Sequence, residues 1–98
     1  MRPNMMRNRG FATVTTSSGL LIAVNPKRFG LVISAPLSSR ITLDFGGPAV
    51  LDQGIVQYPG TQPLVLLYQQ IGEALHEDVF AIGAVGSQTV GWMEIFWP

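Results

Sequence analysis

Cysteine is absent from this chain of 98 residues, and histidine occurs only once, at position 76. Without cysteine the chain can form neither a disulfide nor a thiolate metal site. A serine triad would have to use His76 as its base, and no Gly-x-Ser-x-Gly turn is present to hold the serine. We therefore expect no catalytic residues, no metal and no cofactor, and we do not expect an enzyme.

Charge is scarce as well, because 12% of the residues are charged, about half of the roughly 25% that is typical of globular domains. So few charges cannot cover a free surface well, and we expect other protein to cover a large part of it. No apolar run reaches the roughly 18 residues of a membrane helix. The segment 1–10 is polar and is followed by no apolar signal-peptide core. We expect no association with a membrane.

The few charges are segregated along the chain. All six basic residues lie within the first forty positions: Arg2, Arg7, Arg9, Lys27, Arg28 and Arg40. All six acidic residues follow: Asp44, Asp52, Glu73, Glu77, Asp78 and Glu94. This distribution arises by chance, or it indicates a basic arm or edge that meets an acidic surface on a neighbouring copy or a partner. From position 11 onward three bases stand against six acids, so we expect no dedicated nucleic-acid binding.

Short apolar runs between turn residues predict strands over most of the chain. The expected strands cover residues 11–16, 20–24, 28–35, 40–45, 54–58, 63–70, 79–85 and 89–97. Between the sixth and seventh, residues 72–77 are expected to form one helical turn or a wide loop. Turn signals at this spacing indicate a sandwich or barrel rather than βαβ units. The sequence predicts an all-β fold, an antiparallel β-sandwich of jelly-roll or Ig-like type with seven to eight short strands.

Two parts of the chain differ in character. Residues 1–10 lack periodicity and contain Pro3 and Gly10, so we expect a flexible basic N-terminal arm. Residues 11–98 are expected to form a single β-sandwich domain.

Some of the expected strands are apolar on both faces. In the last strand, Trp92, Glu94 and Phe96 are expected on one side. Met93, Ile95 and Trp97 are expected on the other. A sandwich strand in a monomer usually has one solvated face. Either a loop covers the second face or an oligomer buries it, and the low charge favours the oligomer.

Three segments carry a resemblance to a known group of proteins. They are residues 25–28 (Asn-Pro-Lys-Arg), 41–47 (Ile-Thr-Leu-Asp-Phe-Gly-Gly) and 54–56 (Gly-Ile-Val). Over roughly residues 25–97 the chain resembles small virion proteins of tailed bacteriophages, in which Asn-Pro-x-Arg and a strand ending in Phe-Gly recur before a Gly-Ile segment. The resemblance implies a capsid decoration (cement) protein or a head-fibre or tail-associated β-domain, without enzymatic activity.

The leading hypothesis is a structural protein that stabilises a phage capsid from its outer surface. Its expected partners are the major capsid protein and further copies of itself, most simply as a homotrimer at lattice threefold positions. The candidate partner-binding residues are Arg2, Arg7, Arg9, Lys27, Arg28, Trp92, Phe96 and Trp97. For Lys27 and Arg28 there is a second interpretation, in which they are charges that keep an apolar strand from aggregating.

Two other functions remain open from the residues alone. The chain can be a base component of a tail or head fibre in the same particle. In a different class, it can be a soluble module that binds a ligand such as a carbohydrate. Trp92, Trp97, Tyr58 or Tyr68 would then supply the surface on which the ligand stacks.

Overall fold

The computed structural model of the chain describes residues 5–98 and contains two antiparallel sheets. In chain order the described elements are β1 Met6–Val14, β2 Gly19–Ile22, β3 Arg28–Ile33, β4 Ile41–Phe45, β5 Ile55–Gln57, β6 Leu64–Leu67, α1 Tyr68–Ile71, the 3-10 helix Gly72–His76, β7 Val79–Gly83 and β8 Gln88–Phe96. The expected all-β antiparallel fold is confirmed.

The order of the strands identifies the type of sandwich. Sheet I has the order β1-β8-β3-β6, and sheet II has the order β2-β7-β4-β5. Apart from β4 and β5, which pair directly, each strand is followed in the chain by a strand of the other sheet. This connectivity is that of an eight-stranded jelly roll. Of the two sandwich types expected from the sequence, the jelly roll is therefore the one that forms.

The hydrophobic core lies between the two sheets and takes alternate residues from each strand. In β4, Ile41 and Leu43 are fully buried, as expected for the core side of this strand, and Thr42 on the other side is fully buried as well. The buried apolar residues of the core are Val14, Leu21, Ile22, Leu31, Ile33, Ile41, Leu43, Leu66, Leu75, Val79, Ala81 and Val90. Apolar burial contributes about 25 cal/mol per Å², so this layer is the main source of stability.

The first strand begins earlier than the sequence indicated. Residues 6–10, expected to belong to the flexible arm, form the first half of β1 and pair with β8 from Met6 opposite Phe96 to Gly10 opposite Trp92. The boundary at residue 10 is therefore wrong. Arg7 and Arg9 alternate with Asn8 and Gly10, so this part of the strand has no apolar face that periodicity could reveal. Its partner strand supplies the apolar side chains instead.

The expected strand over residues 63–70 is shorter than predicted. It ends at Leu67, and Tyr68 begins the α-helix α1. Oε1 of the Gln70 side chain accepts a hydrogen bond of 2.8 Å from the Leu67 N–H, which satisfies a backbone donor at the helix start. Gly72 follows the helix with a φ of 61°, a positive value that glycine adopts without steric cost. Of the alternatives expected for residues 72–77, the helical turn is the one that forms.

Candidate functional site

Sheet I presents an apolar surface on the side away from the core, here called the outer face. Its members alternate with the core residues along each strand and are Phe11, Val32, Val65, Leu67, Met93 and Ile95. A Cβ on Gly30 would lie 3.7 Å from Ile95 on one side and 3.7 Å from Leu67 on the other, so these side chains share the face. Phe11 is 77% exposed. Contiguous apolar surface of this kind marks interaction sites in soluble proteins.

Two of the predicted basic residues border the outer face. Arg7 lies opposite Ile95, and Arg9 lies opposite Met93. Both arginines are exposed. An open groove of about 340 Å³ runs beside Arg7, and it is lined by Met5, Met6, Arg7, Met93 and Ile95. The two arginines therefore flank apolar surface, a placement that suits contact with another protein.

The strand that carries these arginines is at the edge of sheet I. Gly91 of β8, opposite Phe11, donates its N–H to Oγ of Ser34 at 2.8 Å and accepts the Ser34 N–H at 2.9 Å. Both of its polar groups thus point to β3 and away from β1. Because an antiparallel ladder alternates, the backbone N–H and C=O of Arg7, Arg9, Phe11 and Thr13 point to the open edge. Among residues 5–98 no strand pairs with that edge.

The remaining predicted residues do not join this surface. Trp92 packs against the core, and its ring lies 3.0 Å from where a Cβ of Gly10 would be. Phe96 is half-buried on the same side of β8. These two aromatics are structural and are not part of the outer face. Arg2 lies outside the residues that the structure describes.

Arg28 was expected to pair with acids of a neighbour, and that prediction is wrong. Its side chain is fully buried. Nε donates to Oε2 of Glu94 at 2.8 Å, Nη1 to the Leu75 carbonyl at 2.7 Å, and Nη2 to the Ala23 carbonyl at 2.5 Å. Oε1 of Glu94 accepts from the amide of Asn8 at 3.0 Å. The pair thus joins β3 and β8 to β1 and the 3-10 helix.

A bulge in β3 explains why Arg28 turns inward. The register of β3 against β8 shifts between Arg28 and Gly30. In a regular strand, Leu31 and Ile33 would face the core, and Arg28 would lie with Val32 on the outer face. A bulge re-aims the side chain beside it, and here it places the guanidinium inside the sandwich. Gly30, an isolated glycine inside this apolar strand, is a sequence signal that could have indicated the bulge.

The last two predicted residues, Lys27 and Trp97, lie together at a second place, here called the aromatic cleft. The cleft has a volume of about 240 Å³ and is lined by Pro26, Lys27, Arg28, Phe29, Tyr68, His76 and Trp97. The Trp97 N–H donates to the Lys27 carbonyl at 3.0 Å. The rings of Phe29 and Trp97 stack at 4.4 Å, and those of Tyr68 and His76 stack at 5.2 Å. Sequence reasoning missed Phe29 and His76 here, because only the fold brings them to Trp97.

Glu73 holds one wall of the aromatic cleft. Its Oε1 accepts the Tyr68 hydroxyl at 2.7 Å, and its Oε2 lies 2.9 Å from Nδ1 of His76. The bond from Tyr68, and then that from His76, lowers the pKa of the Glu73 carboxyl below its usual value. The pKa of the Tyr68 hydroxyl is raised in turn, because ionisation would remove its hydrogen bond to Glu73 and would also place a second negative charge beside the carboxylate. The two contacts join the Glu73 carboxylate to the side chains of Tyr68 and His76.

Within residues 5–98 no three side chains of the kinds that bind metals are gathered closely enough to hold an ion. In the same residues no helix is long and apolar enough to cross a membrane.

Comparison with known proteins identifies a similar fold. No family model matches the chain, and no curated protein matches its sequence. The chain is similar to a solved structure of Bacillus endospore appendages, described as a family of disulfide-linked pili, with a TM-score of 0.56 and 12% identity. The match covers 99% of this chain and 90% of the other. At this identity the likeness shows a shared fold.

Proposed function

We propose that this chain is a structural subunit that assembles through the outer face of sheet I and coats a larger protein particle. The observation that carries the proposal is the exposed apolar surface itself. Phe11 is 77% exposed on this face, and its apolar neighbours extend across all four strands of the sheet. Covering this surface with protein removes apolar area from water, which is favourable at about 25 cal/mol per Å².

The particle that we favour is a phage capsid, which the chain would decorate as a cement protein on its outer surface. The support for this assignment is the resemblance of residues 25–28, 41–47 and 54–56 to small phage virion proteins. The partners are then the major capsid protein and two further copies of the chain. A homotrimer turns three weak contacts into one strong attachment through effective concentration. A tail or head-fibre base would use the same surface, and occupancy of the capsid distinguishes the two.

The similar fold in an appendage protein agrees with a structural role. That protein is described as forming disulfide-linked pili, so a sandwich of this shape can serve as a repeating unit. This chain has no cysteine, and its copies would associate without disulfides. The apolar outer face offers such an association.

The test is the mass of the protein in solution, measured by multi-angle light scattering at micromolar concentration. We expect a multiple of the 10.6 kDa of one chain, with three copies favoured. Phe11→Ser should shift the mass toward that of a single chain. Leu37→Ser is the matched control, because Leu37 is 87% exposed but lies between β3 and β4, outside the outer face. It should leave the mass unchanged.

Co-sedimentation tests the second part of the proposal. The protein should sediment with capsids assembled from the major capsid protein of the proposed particle, and Phe11→Ser should reduce the bound amount. A wild-type protein that is monomeric and stays in the supernatant would contradict both self-assembly and decoration. A stable oligomer that does not sediment with capsids would contradict the proposed capsid decoration but not the proposed self-assembly.

A further inference from the structure

We propose that the aromatic cleft binds a saccharide that carries an anionic group. In this assignment the sugar ring stacks on the exposed faces of Trp97 and Tyr68, and the anionic group pairs with Lys27. The cleft uses different residues from the outer face of sheet I, so this inference stands apart from the proposed assembly.

The two exposed rings are held in fixed positions. Trp97 is 43% exposed and stacks on Phe29. Tyr68 is 41% exposed, stacks on His76 and is tied through its hydroxyl to Glu73. The face of an aromatic ring is negative, and the C–H groups on one side of a sugar ring are weakly positive. Because rings that are already immobilised lose little entropy on binding, this wall is suited to stacking.

The charge of the cleft favours saccharides that carry an anionic group over neutral ones. Lys27 is exposed, and within residues 5–98 it makes no ion pair. The Arg28 guanidinium is already bonded to Glu94 and to backbone carbonyls. No Asp or Glu lines the cleft, and both oxygens of Glu73 are engaged by Tyr68 and His76. The residues that line the cleft therefore offer an ammonium group without an ion pair and no carboxylate, which complements a uronate or a sulfated sugar.

The experiment compares two tetrasaccharides by isothermal titration of the full chain at low salt. One probe alternates glucuronic acid with N-acetylglucosamine, and the other contains N-acetylglucosamine alone. We expect the anionic probe to bind at least about tenfold more tightly, a difference of about 1.4 kcal/mol. Lys27→Ala should remove that difference. Trp97→Ala should weaken binding of the anionic probe by at least about tenfold.

Two controls separate binding from folding and from assembly. Tyr58→Ala removes an exposed tyrosine after β5, on sheet II, and should leave the affinity unchanged. Phe11→Ser, which is expected to reduce the mass of the assembly in solution, should also leave the affinity for the anionic probe unchanged. Lys27 is exposed and is not a core residue, so Lys27→Ala should leave the thermal midpoint unchanged. A change in affinity in this variant then reports the loss of the charge and not a loss of folded protein.

Three results would overturn the inference. They are the absence of binding by both probes at millimolar concentration, equal affinity for the two probes, and an affinity that Trp97→Ala leaves unaltered. None of these outcomes changes the measured mass of the protein, so failure of the saccharide site and failure of the proposed assembly can be told apart.

Discussion

At the scale of single residues, the ion pair Arg28–Glu94 is buried between the two sheets. Removing two charges from water is costly, and the cost is offset only when the pair is well bonded. Here the guanidinium is bonded to Glu94 and to carbonyls of the surrounding segments. Oε1 of Glu94 accepts from the amides of Asn8 and Asn25. The pair thus links segments that are far apart in the chain.

Loss of one partner should leave a buried charge without compensation. We expect Arg28→Met to lower the free energy of unfolding by about 3–5 kcal/mol. The double variant Arg28→Met/Glu94→Leu should recover part of that loss, because neither charge then remains buried. Urea denaturation followed by far-UV circular dichroism measures both.

The matched control is the other arginine–carboxylate pair. Arg40 donates from Nε to Oδ1 of Asp52 at 2.6 Å, with both side chains partly in solvent. Arg40→Met should shift the unfolding midpoint far less than Arg28→Met, because water compensates the lost partner. Equal shifts for the two variants would show that burial of the Arg28 pair has no energetic weight.

At the scale of elements, β1 is a long edge strand of nine residues. Such an edge can pair with another chain, and charged side chains on it limit that risk. Arg7 and Arg9 are placed accordingly, on residues whose backbone groups face the open edge. The strand therefore has unpaired backbone N–H and C=O groups along its open edge. Its two arginines restrict which other chains can pair with them.

Proline substitutions test the direction of the β1 backbone. Proline removes an N–H and is tolerated only where that group does not bond within the sheet. Thr13→Pro should lower the thermal midpoint only slightly, because the N–H of Thr13 points to the open edge. Ala12→Pro should lower it much more, since it leaves a carbonyl of β8 without its donor, a loss of about 1–3 kcal/mol. A larger loss for Thr13→Pro than for Ala12→Pro would mean that the N–H of Thr13, and not that of Ala12, bonds to β8.

The same scale shows how far the sequence predicts this fold. The alternation over Ile41–Phe45 and the spacing of turn residues were enough for the sandwich. The strand over Met6–Gly10 has no apolar periodicity of its own, because its pairing depends on β8. The bulge at Arg28 and the helix that begins at Tyr68 depend on tertiary contacts. For the site, the sequence indicated Arg7, Arg9, Lys27 and Trp97 as candidates, but their separation into two surfaces needed the topology.

At the scale of the whole molecule, the topology explains part of the charge segregation. Sheet I places β1 and β3 on either side of β8, so bases from the first half of the chain lie close to acids from the second. Arg28 with Glu94 is a pair of this kind. The pair Arg40–Asp52 has a local origin, because its residues flank β4 in sheet II and are 12 positions apart. The exposed bases Arg7, Arg9 and Lys27 make no such pair within residues 5–98. They remain available to a neighbour.

Charge reversal on the outer face tests whether a neighbour uses them. The change belongs at Arg9, because Arg28 is buried and its reversal would unfold the domain. We expect Arg9→Glu to weaken self-association more than Arg9→Ala at low salt. The difference between the two variants should become smaller at high salt, because the Debye screening length falls from about 10 Å at 0.1 M to about 3 Å at 1 M. Analytical ultracentrifugation of both variants at the two ionic strengths gives the comparison.

A different result has a definite meaning. If Arg9 only protects the edge from aggregation, either sign of charge would serve. Arg9→Glu would then behave like the unmodified protein, and Arg9→Ala would precipitate at both salt concentrations.

The pairing of β1 with β8 also determines when a newly made chain can finish folding. Asn8 and Glu94 are neighbours in sheet I, although 86 positions separate them in the chain. At about 5–20 residues per second, a ribosome needs roughly 4–17 seconds to make β8 after it has made β1. During that time β1 is an unpaired strand, and nascent copies on one messenger lie close together. Like charges at positions 7 and 9 would repel each other between such copies, so we expect the two arginines to limit pairing of β1 with other chains during synthesis.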